Sequence, residues 1–125
     1  MVYLDTHVVA ALDRRELDSF SRRAIEAIER ADDIRISPMV VLELEYLRQI
    51  KRIKDAAMHI VNDLSVSIGL RICDLPFADV ALQAVDEDWT RDPFDRIIVA
   101  QARLAKATLI TRDTAIHKRY DKALD

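Results

Sequence analysis

The chain has 125 residues, 50 % hydrophobic and 33 % charged, which suits one domain with a real core and a solvated surface and excludes a wholly disordered chain. Its single glycine, Gly69, excludes a Walker A loop and a glycine-rich dinucleotide fingerprint, and its lone cysteine, Cys73, excludes a disulfide framework and a multi-cysteine zinc site. With 19 basic and 22 acidic residues the net charge is −3, so coating of nucleic acid through bulk positive charge is excluded. Any phosphate chemistry then needs local basic patches or bound cations.

The run Val2–Leu4 predicts a first strand. The stretch MVYLDTHVVAAL has no positive start, and Asp5 and His7 cut its apolar run. We therefore expect neither a signal peptide nor a membrane-spanning helix, and the cytoplasm as compartment. A helix is expected from near Thr6. Ala24, Ile25 and Ile28 form an apolar stripe among Arg22, Arg23, Glu26 and Glu29, which marks an amphipathic helix. Ile34–Ile36 predicts the second strand. Ser37-Pro38 reads as an N-cap with proline in the first turn of a helix over 38–50, and another helix over 55–67 stops near Gly69. Residues 70–73 predict a third strand, with Cys73 as a small buried apolar residue. A further segment runs from Pro76 to about residue 85, and Asp92-Pro93 repeats the cap-plus-proline signature before a helix reaching about residue 106. Residues 108–111 predict the fourth strand, and Thr114 starts a last helix. Short strands alternating with helices predict one α/β domain over 1–125, a short and mostly parallel sheet sandwiched between helices.

In such sheets the reactive crevice lies at the carboxyl ends of the strands. Asp5 directly follows the first strand, and Asp113 follows the last by two residues beyond Thr111. Asp95 takes the third position of its helix, and Glu43 the second turn of the helix after Ile34–Ile36, where it interrupts an apolar run. Each acid has a plain structural alternative. Asp5 and Asp113 can cap the helices that follow them, Glu43 can pair with an arginine, and Asp95 can close a capping box with Asp92. Their joint placement at one edge is harder to explain away. Two like charges about 4 Å apart repel by roughly 4 kcal/mol at an effective dielectric of about 20. Either their pKa values rise or a cation sits among them, and oxygen-only ligands favour Mg²⁺ or Mn²⁺.

The motifs YLDTHVVAAL, SPMVVLELEYL, RDPFDRIIVAQA and TLITRDTAI, in this order along essentially the whole chain, resemble those of PIN-domain proteins, and more narrowly the VapC-type toxins of bacterial toxin–antitoxin operons. RDPFDRIIVAQA is the most specific of them. The resemblance implies a three-layer α/β/α nuclease with an acidic Mg²⁺ site, Mn²⁺ being a substitute, that hydrolyses RNA phosphodiester bonds with metal-activated water. Carried over, the family's first Asp falls on Asp5 in LDT, its helix-borne Glu on Glu43, its third acid on Asp95 in DPFD, and its fourth on Asp113 in TRD. Asp5 and Asp95 would be the principal metal ligands, with Glu43 and Asp113 completing the catalytic pocket. Asp92 is assigned the capping role. The resemblance also implies a small cognate antitoxin whose tail occupies the groove near the acids. The apolar stretches 40–50 and 58–64 furnish a partner surface, a homodimer interface, or simply core.

Thr6 and Thr111 flank the acids and either orient a carboxylate or bond local backbone. His7, beside Asp5, is either an acid/base or a surface residue, and the surface reading is preferred because metal-activated water needs no histidine; His59 and His117 have no companion ligands at metal-site spacing, so surface roles are expected of both. Arg96 and Arg112 either pair with neighbouring carboxylates or touch substrate phosphate. Trp89 reads as a packing anchor rather than a base-stacking platform. Arg14, Arg15, Lys51, Arg52, Lys54, Lys118, Arg119 and Lys122 read as a solvated face with candidate phosphate-tracking charges. Two functions compete with the nuclease. One is a catalytically silent PIN-like module that binds metal or RNA. The other is a phosphatase with Asp5 as nucleophile, which lacks the DxD of haloacid-dehalogenase-like enzymes because His7 stands at the second position.

Overall fold

In the computed structural model, which describes residues 1–125, the run Val2–Leu4 forms the central strand β1, and all three of its residues are buried. An unbroken apolar strand is what a parallel sheet covered on both faces requires. β1 pairs in parallel with β2 (Ile34–Ile36) on one side and β4 (Thr108–Ile110) on the other. Two-residue edge strands complete the sheet, β3 (Arg71–Ile72) beside β2 and β5 (Ala123–Leu124) beside β4. The order is β3-β2-β1-β4-β5, and every pair is parallel. The expected α/β sandwich is thus realised. The fifth strand is an addition that the sequence pattern does not predict. The third is shorter than 70–73, although Cys73 still donates its N–H to Ile36 O at 2.8 Å, and Leu70 and Cys73 are both buried.

The helices are α1 (Thr6–Asp13), α2 (Arg22–Arg30), α3 (Pro38–Gln49), α4 (Ala57–Ile68), α5 (Phe77–Val85), α6 (Pro93–Ala105) and α7 (Thr114–His117). They cover both faces of the sheet in three layers. Ser37 caps α3 by accepting from Met39 N–H at 3.0 Å, and Asp92 caps α6 by accepting from Phe94 N–H at 2.8 Å; Pro follows each cap as expected. Tyr3, Leu4, Ile36, Leu109 and Ile110 of the sheet are fully buried with Leu44, Ile60, Ile98 and Ile116 of the helices. Burial of each such side chain is worth about 1.5–3 kcal/mol. The stretches 40–50 and 58–64 divide by helix face. Val40, Leu44, Ile60, Val61 and Leu64 are core, while Leu42, Tyr46, Ile50 and Met58 are exposed. No helix is long and apolar enough to cross a membrane.

Four helices stop at a left-handed residue. Gly69 (φ 72°) ends α4, but Arg15 (φ 58°), Lys51 (φ 64°) and Lys106 (φ 53°) stand where glycine is usual, after α1, α3 and α6. The next N–H closes each stop, as from Glu16 to Ala11 O at 2.9 Å and from Arg52 to Leu47 O at 2.8 Å. A side chain there costs about 1 kcal/mol, partly offset where the cation lies at the negative end of the helix.

The topology also selects one crevice. After β1 the chain builds β2 and β3 on one side, then crosses back to build β4 and β5 on the other. The order therefore reverses between β1 and β4, and in open α/β sheets ligands bind outside the carboxyl ends of the strands at that switch point.

Candidate active site

Asp5 stands at the carboxyl end of β1, tied into the sheet by its N–H to Ile110 O at 3.0 Å. It caps α1, Oδ1 accepting from Thr6 N–H at 2.7 Å, while Oδ2 accepts from the Thr111 hydroxyl at 2.7 Å. Only 6 % of Asp5 is exposed. The capping alternative is therefore realised, but it uses only part of the acceptor capacity of the carboxylate. Burial pushes its pKa up against the lowering effect of both hydrogen bonds.

Thr111 is a fully buried hub from the carboxyl end of β4. Its hydroxyl donates to Asp5 and accepts from Asp113 N–H at 3.1 Å. Its carbonyl is held by His117 Nε2 at 2.7 Å, so His117 is half-buried and structural, not the surface residue expected. Asp113 caps α7, Oδ1 accepting from Ala115 N–H at 2.8 Å and Ile116 N–H at 3.2 Å. Across the crevice, the buried Thr6 hydroxyl donates to Glu43 Oε1. Two threonines thus orient two of the acids.

Asp95 is set apart by having no partner. Its carboxylate accepts no hydrogen bond, and the capping-box alternative fails because Asp92 N–H donates to Thr90 Oγ1 at 3.2 Å instead. Burial raises its pKa, and the charges of Asp92, Asp5, Asp113 and Glu43 raise it further, to about 7. Glu43 is likewise raised by burial and by Asp5 and Asp92, against the Thr6 hydrogen bond. The four predicted acids therefore lie within electrostatic reach of one another at the β1/β4 switch point, and no Lys, Arg or His forms an ion pair with any of them. The alternative that Glu43 pairs with an arginine is not realised.

Neighbouring residues sort themselves out. Arg96 pairs with no carboxylate and is turned away from the crevice, donating from Nε to Ala84 O at 3.0 Å and from Nη2 to Val85 O at 3.0 Å. It closes the carboxyl end of α5, a role that no sequence spacing signals. Trp89 is the packing anchor expected, with Nε1 donating to Glu87 Oε2 at 2.7 Å. His59 meets Asp63 at 3.3 Å on the exposed face of α4, and His7 is exposed.

The model of the PIN domain matches residues 2–123. The chain belongs to the PIN-domain family. Its fold is shared by solved chains of similar size. A chain of a toxin–antitoxin complex from Klebsiella pneumoniae superposes with TM-score 0.64 and 20 % identity, covering 100 % of this chain and 97 % of that one. A chain of VapBC2 from Rickettsia felis, bound to a DNA fragment from its promoter, gives 0.64 and 20 %, covering 99 % and 96 %. A chain of VapBC-1 from nontypeable Haemophilus influenzae gives 0.64 and 15 %, covering 99 % and 96 %. No curated protein matches the chain in sequence.

The donors of this PIN domain fit a hard divalent cation. They are all carboxylate oxygens, mutually repelling and in no ion pair, with His7 the one cationic side chain whose charge acts on Asp5 and Glu43. No three His, Cys, Asp or Glu side chains converge into a ready cage.

Proposed function

We propose that this PIN domain is a metal-dependent endoribonuclease acting in the cytoplasm as the toxin of a type II toxin–antitoxin system. The observation that carries the reading is the crowd of four carboxylates at the switch point, none of them ion-paired with a side chain of the protein. A nuclease on a polyanionic substrate needs positive charge there, and this chain leaves the place for it open. Asp5 and Asp95 would hold Mg²⁺, or Mn²⁺ in its stead. Bound there, the ion supplies positive charge to phosphate oxygens and acidifies a coordinated water. Asp5 is held rigid for this by Thr111 and the first turn of α1. Asp95 has both oxygens free and becomes ionised near neutral pH, and Glu43 and Asp113 line the remaining sides, where they can orient water or take up a proton. RNA is the proposed substrate, by the likeness of the motifs to VapC-type toxins.

A small antitoxin is the proposed partner. Leu42 and Tyr46 of α3 and Ile50 just past its end are exposed at four-residue spacing, an apolar stripe that begins beside Glu43. A second copy of the chain is the competing occupant, which gel filtration of the chain alone distinguishes. The nuclease reading is tested by incubating single-stranded RNA with the wild type and with Asp5→Ala and Asp95→Ala, with Mg²⁺ and with excess EDTA. Cleavage is expected only from the wild type with Mg²⁺. Equal cleavage by both variants, with contaminating nuclease excluded, sinks the assignment. The silent-module alternative predicts metal binding without cleavage. An Asp5-nucleophile phosphatase predicts a trappable phosphoaspartate.

A further inference from the structure

Two arginines lie over aromatic rings, and their donors differ. Arg103 lies 5.0 Å from the ring centre of Tyr120, and its guanidinium is committed: Nε donates to Glu87 at 2.6 Å and Nη2 to Arg119 O at 3.0 Å. Arg112 lies 5.2 Å from the ring centre of Phe20, is exposed, and makes no ion pair and no hydrogen bond. Phe20 is itself part of the core at 8 % exposure, so the support under this guanidinium is stiff. Stacking on a ring face leaves the in-plane N–H donors of an arginine free. Arg112 also stands between Thr111, which holds Asp5, and Asp113, at the carboxyl end of β4. Arg96, the other arginine beside a site acid, is committed to backbone carbonyls.

We propose that Arg112, braced on Phe20, grips a backbone phosphate of the RNA one or more nucleotides away from the scissile bond and so seats the strand across the acidic crevice. The proposal rests on the nuclease reading and adds a phosphate subsite to it. The ligand chemistry is a phosphodiester anion met by the planar fork of a guanidinium held in place in advance, which reduces the rotamer freedom lost on binding. The proposal gives a site of four acids a way to face a polyanion: a cation borne next to Asp113 in sequence, stacked on an aromatic ring and in no ion pair with a carboxylate.

The test is the affinity of a fluorescein-labelled single-stranded RNA oligonucleotide, read by anisotropy in Mg²⁺ at a series of KCl concentrations. The parent is Asp95→Asn, in which the RNA stays intact. Adding Arg112→Ala is expected to weaken binding roughly three- to tenfold. It should also lower the slope of log affinity against log salt by about 0.7, the loss of one phosphate contact on a single strand. Arg112→Lys should keep the slope but not the full affinity, and Phe20→Leu should do the same through the lost brace. In the cleaving protein, Arg112→Ala should raise KM with kcat nearly unchanged. An unchanged affinity and slope in Arg112→Ala overturns the proposal. So does weaker binding that comes with a lowered melting temperature and an unchanged slope, which is the signature of a packing role. Wild-type protein that binds no RNA at low salt in EDTA, where no cleavage is expected, overturns it as well. Failure of the nuclease reading is a separate result, namely wild-type protein that binds RNA with a full slope and does not cut it.

Discussion

Two buried carboxylates, Asp5 and Glu87, are 6 % and 3 % exposed, yet only Glu87 is met by a cation. Arg103 Nε reaches its Oε1 at 2.6 Å and Trp89 Nε1 its Oε2 at 2.7 Å, so the loop after α5 is clamped to α6 through a satisfied charge. Asp5 receives only a backbone N–H and the Thr111 hydroxyl, with three further acids around it. A buried charge without a counter-charge is expensive, and folds normally supply one. The fold supplies an ion-pair partner at Glu87 and none at the switch point, which sets an acid tied into the structure apart from the acids of the proposed site.

The largest expected effect is on activity. Asp95→Asn keeps the shape of the side chain and removes the charge, and cleavage should fall by about a thousandfold. The same variant should leave the metal-free protein at least as stable as wild type near pH 8, because a crowded charge is lost. A variant that both retains activity and unfolds more easily would place Asp95 on the structural side of the comparison. Glu87→Ala should behave in the opposite way. It strands Arg103 and the Trp89 N–H, and should cost about 2–3 kcal/mol in urea unfolding while sparing the cleavage rate per folded molecule. A loss of rate without a loss of stability would break the comparison from that end.

A smaller effect follows from Asp95 titrating near pH 7 instead of its ordinary 3.8. Between these values the folded protein holds a proton that the unfolded chain has released. Stability therefore falls as pH rises through the window and levels off above about 7. Asp33 and Glu45, lowered by hydrogen bonds from Arg35 and Arg48, act in the opposite direction, but their contribution is complete above the ordinary carboxylate range. Metal-free protein should accordingly lose about 1–2 kcal/mol between pH 5.5 and 8 through Asp95, after allowance for solvent screening, and Asp95→Asn should reduce the change, the raised Asp5 and Glu43 retaining a part of it. A melting profile that rises over this range would contradict the raised pKa. The smallest effect is a control away from both regions. Lys51→Gly and Lys106→Gly relieve left-handed backbone and should each stabilise the fold by about 0.5–1 kcal/mol without touching activity.

Much of the site was legible because it depends on local signals. The strand runs 2–4 and 108–111, the latter one residue longer than β4 itself, and the Ser37-Pro38 and Asp92-Pro93 starts place Asp5, Asp113, Glu43 and Asp95 to within a residue, and a parallel sheet then gathers them at one edge. What was not legible depends on partners distant in sequence. The Thr111 hydroxyl reaches Asp5 across 106 positions, and Arg96 closes a helix whose last carbonyls lie 11 and 12 residues back. Strand β5 has two residues and no β-branched run, so its existence is decided by the open edge of β4 rather than by its own propensity. The left-handed stops at Arg15, Lys51 and Lys106 run against residue preference, and only Gly69 announced itself.

The central claim, that the acids at the β1/β4 switch point hold a divalent cation, is tested most directly by isothermal titration calorimetry of Mn²⁺ into the wild type and Asp95→Asn at pH 7, in two buffers of different ionisation enthalpy. Saturable binding with net proton release from the wild type, both lost in Asp95→Asn, is the predicted result. Equal binding by the two proteins, or none by the wild type, would contradict the account.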